Sequence, residues 1–369
     1  MKKIIVSVSN DLYSDQRVRK VCATLLEMGF EIQLLGRELS DSQEISNRGY
    51  NIKRFSLWFA KGPLFYANLN IRLFFYLLFH KADVLLANDL DTLPANYLVS
   101  KLKRLPLVYD THELYTEVPE LKGRFAKKVW ERIEKAIFPK LENIFTVNKS
   151  IADIYNRKYH VEINVIRNLP NRKFKDIYKS KEELGLIENQ KYIILQGAGI
   201  NIDRGSEELV LAMEYVKDAI LLIVGNGDVV PQLKKMVKSN NLSDNIIFIS
   251  KQSPKMLKSY TYNSEVGFSL DKDTNLNYRY SLPNKIFDYI QAGIPILASD
   301  LPVIKNIIEE KDVGLICKNH NPKEIANNIN KMLKEDYKEK KKAQINTAAE
   351  ELTWESQEHI MHKVYSKYL

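Results

Sequence analysis

The residue types best suited to chemistry in this chain cluster where apolar runs break off. Within Tyr280 to Asp300, Pro283-Asn284-Lys285 leads into Ile286, Asp288, Tyr289 and Ile290, and Gly293 closes the run before Ile294 to Ala298. Pro and Asn open helices and Gly ends them, so the spacing predicts a loop, a helix and a strand. A helix opening at Asn284 aims unpaired backbone N–H groups and the positive end of its dipole at the loop. With the Lys285 ammonium beside them, that arrangement suits a phosphate. Asp288, about one turn further in, is placed to accept hydrogen bonds from ribose hydroxyls. The same residues also suit an ordinary surface helix with a Pro-Asn start and a Gly stop.

Two glycine-bearing passages follow apolar runs upstream. Gly197-Ala198-Gly199 precedes Asp203-Arg204-Gly205, and Gly225-Asn226-Gly227-Asp228 ends the next run. Small residues let backbone approach a pyrophosphate, and the guanidinium of Arg204 is a fixed fork of donors that matches phosphate oxygens. Neither passage has the GxGxxG spacing of a dinucleotide fold or the Lys-Ser/Thr ending of a P-loop, which weighs against hydride transfer and ATP hydrolysis. Tight turns need glycine in any case. The combination of Arg204, Lys285 and Asp288 is what indicates a nucleoside diphosphate, with Gly199, Gly225, Gly227 and Asn284 as its backbone surroundings.

In the first half, Val108-Tyr109-Asp110-Thr111-His112-Glu113 puts Asp110, His112 and Glu113 where a strand leaves its sheet. A histidine there can hydrogen-bond a substrate hydroxyl without ionising. Asp15-Gln16-Arg17-Val18 opens a helix, Asp15 as its cap and Arg17 and Arg19 in the first turn, which suits ligand contact and a solvated helix start equally.

The elements that position these groups alternate. Strand patterns at Ile4 to Ser9, Glu31 to Leu35, Ile52 to Leu57, Val84 to Asn88, Leu107 to Asp110 and Ile144 to Val147 interleave with helical ones. The helical patterns run from about Asp15 to Glu27, Leu69 to Phe79, Thr92 to Leu102 and Arg124 to Ile137. That is the rhythm of a parallel sheet covered on both faces. A polar passage, Arg167 to Lys173, breaks it and reads as a linker. The rhythm restarts with strands at Tyr192 to Gly197, Ala219 to Val224, Asn245 to Ser250, Glu265 to Leu270 and Ile294 to Ala298. The expectation is α/β throughout: residues 1–170 and 171–352 as two Rossmann-like, doubly wound domains, and a closing helix over 353–369 that begins near Trp354-Glu355. Facing each other, two such domains would line one cleft with the carboxyl ends of both sheets.

Composition bounds the rest. At 369 residues the chain exceeds the usual reach of one core, and 45% hydrophobic with 27% charged residues describes a globular protein. Cys22 and Cys317 carry no metal or redox spacing and fit a reducing compartment. The N-terminus reads as a first strand rather than a signal peptide, giving a cytoplasmic expectation. A net charge of +9 favours anionic partners. No run approaches the roughly 18 apolar residues of a membrane span.

Taken together these motifs resemble the retaining GT-B glycosyltransferases of the family 4 type. The resemblance runs from the Asp15-Gln16-Arg17-Val18 helix entry through Asp110-Thr111-His112-Glu113, Arg204-Gly205, Gly225-Asn226-Gly227 and Tyr280 to Asp300, and ends at the Trp354-Glu355 helix. It implies transfer of a sugar from a nucleotide diphosphate donor, UDP-sugar foremost, with no other cofactor. His112 then lies beside the donor sugar, Arg204 on the diphosphate and Asp288 on the ribose, while Asp15, Arg17, Asp110 and Glu113 serve the acceptor side. The closing helix crosses back onto the first domain. Two departures stand out. The family's paired glutamates, with seven residues between them, map to Tyr280 and Asp288, and its arginine five residues before Arg204 is Gly199. Lys285, in a Pro-Asn-Lys variant seen in some bacterial surface-polysaccharide enzymes, supplies a positive charge in compensation.

On this reading Arg204, Lys285 and the helix start at Asn284 stabilise charge on the leaving diphosphate, and no metal is needed. The metal-free expectation also supposes that the chain lacks an Asp-x-Asp triplet. Between Phe55 and Phe79, Trp58, Phe59, Phe65, Tyr66, Phe74, Phe75 and Tyr76 interleave with Lys53, Arg54, Lys61 and Arg72, which suits either a core helix or contact with anionic lipid and a lipid-linked or glycan acceptor. A second basic stretch, Lys122 to Lys140, sets Phe125, Val129, Ile133 and Ile137 at helical spacing as a core-facing stripe. The rival readings are a nucleotide-sugar epimerase and a catalytically silent partner subunit. Nucleic acid binding lacks a recognition helix or aromatic platforms.

Overall fold

The computed structural model describes residues 1–13, 15–172, 178–334 and 336–369, so Lys173 of the predicted linker lies outside the described residues. The chain begins with β1 (Lys3–Ser7), α1 (Gln16–Glu27), β2 (Glu31–Glu38), β3 (Asn51–Ser56), α2 (Pro63–Phe79), β4 (Val84–Asn88) and α3 (Leu93–Lys103). It continues with β5 (Leu107–Thr111), α4 (Phe125–Ile137), β6 (Asn143–Thr146), α5 (Lys149–Tyr159) and β7 (Asn164–Val165). After Leu169 come β8 (Tyr192–Gly197), α6 (Ser206–Ala212), β9 (Ile220–Gly225), α7 (Val230–Ser239), β10 (Ile246–Ile249), α8 (Pro254–Tyr262), β11 (Val266–Ser269) and α9 (Leu276–Arg279). The last elements are α10 (Asn284–Ala292), β12 (Ile296–Ser299), α11 (Pro302–Lys311), β13 (Gly314–Cys317), α12 (Pro322–Met332), α13 (Tyr337–Glu351) and α14 (Glu358–Tyr365).

These elements form two compact units, residues 1–168 with 357–369, and residues 169–356. The first carries a seven-stranded sheet in the order β3-β2-β1-β4-β5-β6-β7, the second a six-stranded sheet in the order β10-β9-β8-β11-β12-β13. Neighbouring strands run parallel in both. The strands read as continuous apolar runs, Ile4-Ile5-Val6 or Ile193-Ile194-Leu195, because helices cover both faces. In the second unit Leu209, Leu233 and Ile329 fill one face and Ile286, Tyr289 and Ile304 the other. In both units the order reverses beside the first strand, and in such sheets ligands bind at the carboxyl ends flanking that reversal.

Local chemistry sets the boundaries near the site residues. Asp15 caps α1 by accepting from the Val18 N–H at 3.0 Å. Pro283 precedes α10 with no side-chain cap, and Gly293 ends it in the left-handed conformation at φ 75°. Helix α2 begins six residues ahead of the predicted Leu69, because Pro63 at its first position pre-sets the helical φ. The closing segment is a short 3-10 turn, Glu355–Gln357, before α14 rather than one helix over 353–369. Within its unit α14 is held by Thr24 Oγ1 donating to Glu358 Oε1 at 2.7 Å and by the buried Tyr365 ring against Phe30 and Phe145.

Helix α4 departs from its predicted stripe. Phe125 and Val129 are exposed, Ile137 is buried as expected, and Trp130 and Glu134 face inward beside it. The Trp130 ring meets Tyr66 and Tyr115 edge-on, and the buried Glu134 accepts from Tyr159 Oη at 2.6 Å and Lys158 Nζ at 2.7 Å. A satisfied carboxylate and a tryptophan override the simple apolar count.

Candidate functional site

In the first unit the charged side chains gather at the carboxyl ends of β4 and β5. Arg17, on the first turn of α1, reaches across to Asp110 at the end of β5 in a two-pronged ion pair, Nε–Oδ2 3.0 Å and Nη2–Oδ1 2.7 Å, while its Nη1 donates to the Ile166 carbonyl at 2.7 Å. Both partners are buried. Burial by itself pushes the Asp110 carboxyl up, but the Arg17 guanidinium and then His112 hold it well below the usual carboxylate range. Arg17 is therefore pinned in the interior and is not a solvated helix-start cation. Asp15 is likewise engaged, accepting from Asn10 Nδ2 at 2.6 Å as well as from Val18.

His112 lies between two carboxylates. Its Nδ1 is 3.3 Å from Asp89 Oδ2 and its Nε2 is 3.5 Å from Asp110 Oδ2, and its own N–H donates to Asp89 Oδ1 at 2.8 Å. Burial lowers the imidazole pKa, yet Asp89 and Asp110 outweigh it and carry it to about 9. The two carboxylates thus favour the charged form of a ring that was expected to hydrogen-bond a hydroxyl without needing to ionise. Glu113 is half-buried, and its carbonyl accepts from Thr111 Oγ1 at 2.9 Å.

Sequence reasoning passed over the charged turn Asp89-Leu90-Asp91, which follows Asn88 at the end of β4. Asp89 takes the left-handed conformation at φ 57°. Asp91 is buried with Oδ1 lacking a hydrogen-bond partner, and the buried Asn88 Oδ1 lacks one too. Burial and then the nearby Asp89 raise Asp91 to about 7, against a hydrogen bond from Ser9. Two carboxylates straight after a predicted strand were the available signal. They also correct a premise of the metal-free expectation, because Asp89-Leu90-Asp91 and Asp271-Lys272-Asp273 are both Asp-x-Asp triplets. Among the described residues no three His, Cys, Asp or Glu side chains come together as a metal-ligand set.

In the second unit a cationic group forms at the carboxyl ends of β8 and β11. Arg204 Nη1 donates to Asp271 Oδ1 at 2.9 Å, and the guanidinium stacks over Tyr278 at 4.7 Å from the ring centre. Its Nε is buried without a hydrogen-bond partner. Asp271 is fully buried at the end of β11, and sequence reasoning missed it although it ends a predicted strand. Lys285, on the first turn of α10, has its pKa lowered by burial and by Arg204, with Asp271 opposing. Arg204, Lys285 and Asp271 therefore form one electrostatic group at a helix start. Asp288 is held by Gln196 Nε2 at 3.1 Å, and Gln196 Oε1 in turn accepts from Thr261 at 2.6 Å. Asn284 is the exposed first residue of α10.

The glycines divide. A Cβ on Gly225 would lie 1.8 Å from the Gly197 carbonyl oxygen, and one on Gly227 2.1 Å from that of Ile200. The loops after β8 and β9 are laced together there, Ile200 N–H to Asn226 O at 3.0 Å and Asn226 N–H to Gly197 O at 3.3 Å, so both glycines serve the crossing of two backbones. Gly199 has room, its nearest contact being Asn201 Nδ2 at 3.5 Å.

Two parallel sheets, each with charged residues at the strand ends beside the order reversal, make two Rossmann-like α/β units. The family description of glycosyl transferases group 1 matches residues 176–351, and that of glycosyltransferase family 4 matches residues 15–171. Together these matches span most of the chain, which belongs to the glycosyltransferases of GT-B type. An uncharacterised glycosyltransferase of Haemophilus influenzae is 28% identical over 125 residues, covering 34% of this chain and 33% of that protein. Across the curated relatives the matched part spans between 33% and 66% of their length. Among solved structures, sucrose-phosphate synthase from Thermosynechococcus elongatus superposes with a TM-score of 0.80 at 15% identity, over 100% of this chain and 99% of that one. Anabaena HepE in complex with UDP and glucose superposes at 0.78 and 14% identity over 100% of both chains.

Proposed function

We propose that the protein moves a sugar from a nucleoside diphosphate donor, foremost a UDP-sugar, onto a glycan or lipid-linked acceptor of surface-polysaccharide assembly, with retention of configuration and from the cytoplasmic face of the membrane. The observation that carries this reading is the group of Arg204, Lys285 and Asp271 at the start of α10. Two cations against one carboxylate leave net positive charge where a helix dipole already favours an anion. In this reading Arg204, Lys285 and the Asn284 backbone hold the diphosphate and stabilise charge as the sugar departs. Asp288 takes the ribose hydroxyls, oriented by Gln196, and the loops of Gly199, Gly225 and Gly227 lie along the nucleotide. His112 contacts the donor sugar as a charged donor, positioned by Asp89 and Asp110, with Arg17 fixing Asp110. Asp15 and Glu113 belong to the acceptor side. A solved relative named as a complex with UDP and glucose supports the donor class.

Tyr280, which stands where the resembling family has its first glutamate, favours one second reading, a nucleotide-binding subunit without turnover. Calorimetric titration with UDP, GDP, ADP and their nucleosides tests the first. Selective binding of one diphosphate over its nucleoside is the expected result, and release of that diphosphate from its sugar conjugate separates enzyme from silent subunit. Binding of none of the three would remove the diphosphate site.

A further inference from the structure

We propose that the outward faces of α2 and α3, with the loop that carries Trp58, form a docking surface for an anionic lipid bilayer. This deepens the membrane-face part of the function above and stands independently of the transfer chemistry.

Helix α2 is apolar on two sides. Its inner side, Phe65, Leu69, Leu73 and Leu77, is buried against the sheet. Ile71, Phe75 and Phe79 repeat at four-residue spacing on the opposite side and stay uncovered, Phe79 at 76% exposure, with the Phe75 and Phe79 rings stacked at 6.3 Å. Neighbouring α3 repeats the pattern, Leu98 and Leu102 being 54% and 65% exposed while Leu93, Ala95 and Val99 are buried. The helices are tied side by side by Ala95 N–H to Asn70 Oδ1 at 3.1 Å and Lys103 Nζ to the Leu77 carbonyl at 3.2 Å. Trp58, 80% exposed, is joined to α2 through its backbone N–H, which donates to Asn68 Oδ1 at 3.1 Å, and its ring lies under the Arg72 guanidinium at 5.3 Å. Clustered large apolar side chains left open to water mark an interaction surface.

Charge selects the occupant. Residues 45–82 and 92–109 contain no Asp or Glu, whereas they carry Lys53, Arg54, Lys61 and Arg72 on one side and Lys101, Lys103 and Arg104 on the other. A second copy docking symmetrically would set these cations against their own images, because a two-fold interface pairs a patch with itself. An anionic bilayer instead takes up the aromatic and aliphatic side chains at its headgroup boundary and attracts each nearby Lys or Arg by about 1 kcal/mol. Tryptophan and phenylalanine beside arginine is the composition such boundaries favour.

The test is co-sedimentation of the full chain with phosphatidylcholine vesicles, with and without phosphatidylglycerol. Binding is expected only with phosphatidylglycerol and should weaken as salt rises. The triple substitution Trp58→Ser, Phe75→Ser and Phe79→Ser should lower the partition at least about tenfold with an unchanged thermal midpoint, these side chains being solvent-facing. Arg72→Glu with Lys101→Glu, which leaves the apolar side chains intact, should weaken the preference for phosphatidylglycerol. Absence of binding at low salt, or undiminished binding by both variants, overturns the proposal. A dimer in light scattering that the triple substitution dissociates also overturns it, assigning the face to a second copy. UDP titration of the same variants stays unchanged in every case, which keeps failure here distinct from failure of the nucleotide reading.

Discussion

Replacing Lys285 by alanine should cost the protein its grip on UDP while sparing uridine. Arg204 and Lys285 share the buried carboxylate of Asp271, so the group as a whole carries one surplus positive charge. Removing the ammonium leaves Arg204 and Asp271 as a neutral pair, and the diphosphate then meets a helix start without net charge. A hydrogen bond to a charged group contributes about 1.5–3 kcal/mol, which corresponds to roughly a 10- to 150-fold rise in Kd for UDP. Uridine lacks the phosphates and should shift by less than about twofold on the same argument. Calorimetric titration of both ligands at neutral pH decides the point. Burial and Arg204 lower the lysine's pKa below its ordinary 10.5, so raising the pH should weaken UDP binding by the native protein earlier than by Lys285→Arg. Equal weakening of UDP and uridine, or UDP affinity untouched by Lys285→Ala, would refute the assignment.

Two further outcomes follow from the first unit. Arg17→Leu leaves the buried Asp110 carboxylate without its partner and should destabilise the unit by about 3–5 kcal/mol near pH 8. The depressed Asp110 pKa gives the native protein stability that is present above the unfolded value of about 3.9 and lost as pH falls through the folded one. In the variant burial governs, so its deficit in thermal midpoint should shrink toward pH 4, and a pH-independent deficit would contradict this. Asp91→Asn should raise the thermal midpoint at pH 8. A carboxyl lifted from 3.8 to about 7 drains native stability as pH climbs between those values. At pH 4 native protein and variant should melt together, and a lower midpoint at pH 8 would show that the Asp91 charge is satisfied after all.

Much of this was legible before any coordinates. Apolar runs between turn residues placed eleven of the thirteen strands to within a few residues, because parallel strands buried on two faces admit little else, and missed only β7 and β13 at one edge of each sheet. Pro283, Asn284 and Gly293 likewise marked the ends of α10 through backbone restrictions that act locally. The exceptions among the charged residues and on α4 share one cause: they depend on partners distant in the chain. Arg17 suited a ligand contact and a solvated helix start equally, yet Asp110 lies 93 residues away and takes it inside. Helix α4 looked apolar along Phe125 and Val129, yet Trp130 finds Tyr66 and Tyr115, and Glu134 finds Tyr159 and Lys158. Asp271 ends a correctly placed strand, but its importance lies in Arg204, 67 residues earlier.

The two sheets reverse order at equivalent strands, yet their strand ends handle charge in opposite ways. In the first unit Asp89, Asp91 and Asp110 are set against Arg17 and His112, and the raised Asp91 pKa brings that group close to neutrality at pH 7. A doubly charged diphosphate gains little from such a set, whereas a hydroxyl finds acceptors there in Asn88 Oδ1 and Asp91 Oδ1, which have no hydrogen-bond partner. In the second unit one carboxylate faces two cations beside a helix start, and Arg204 Nε lacks a hydrogen-bond partner. The strand order alone assigns neither ligand. In the proposed function the balance of buried charge is what assigns the phosphates to α10 and the neutral hydroxyl chemistry to β4 and β5.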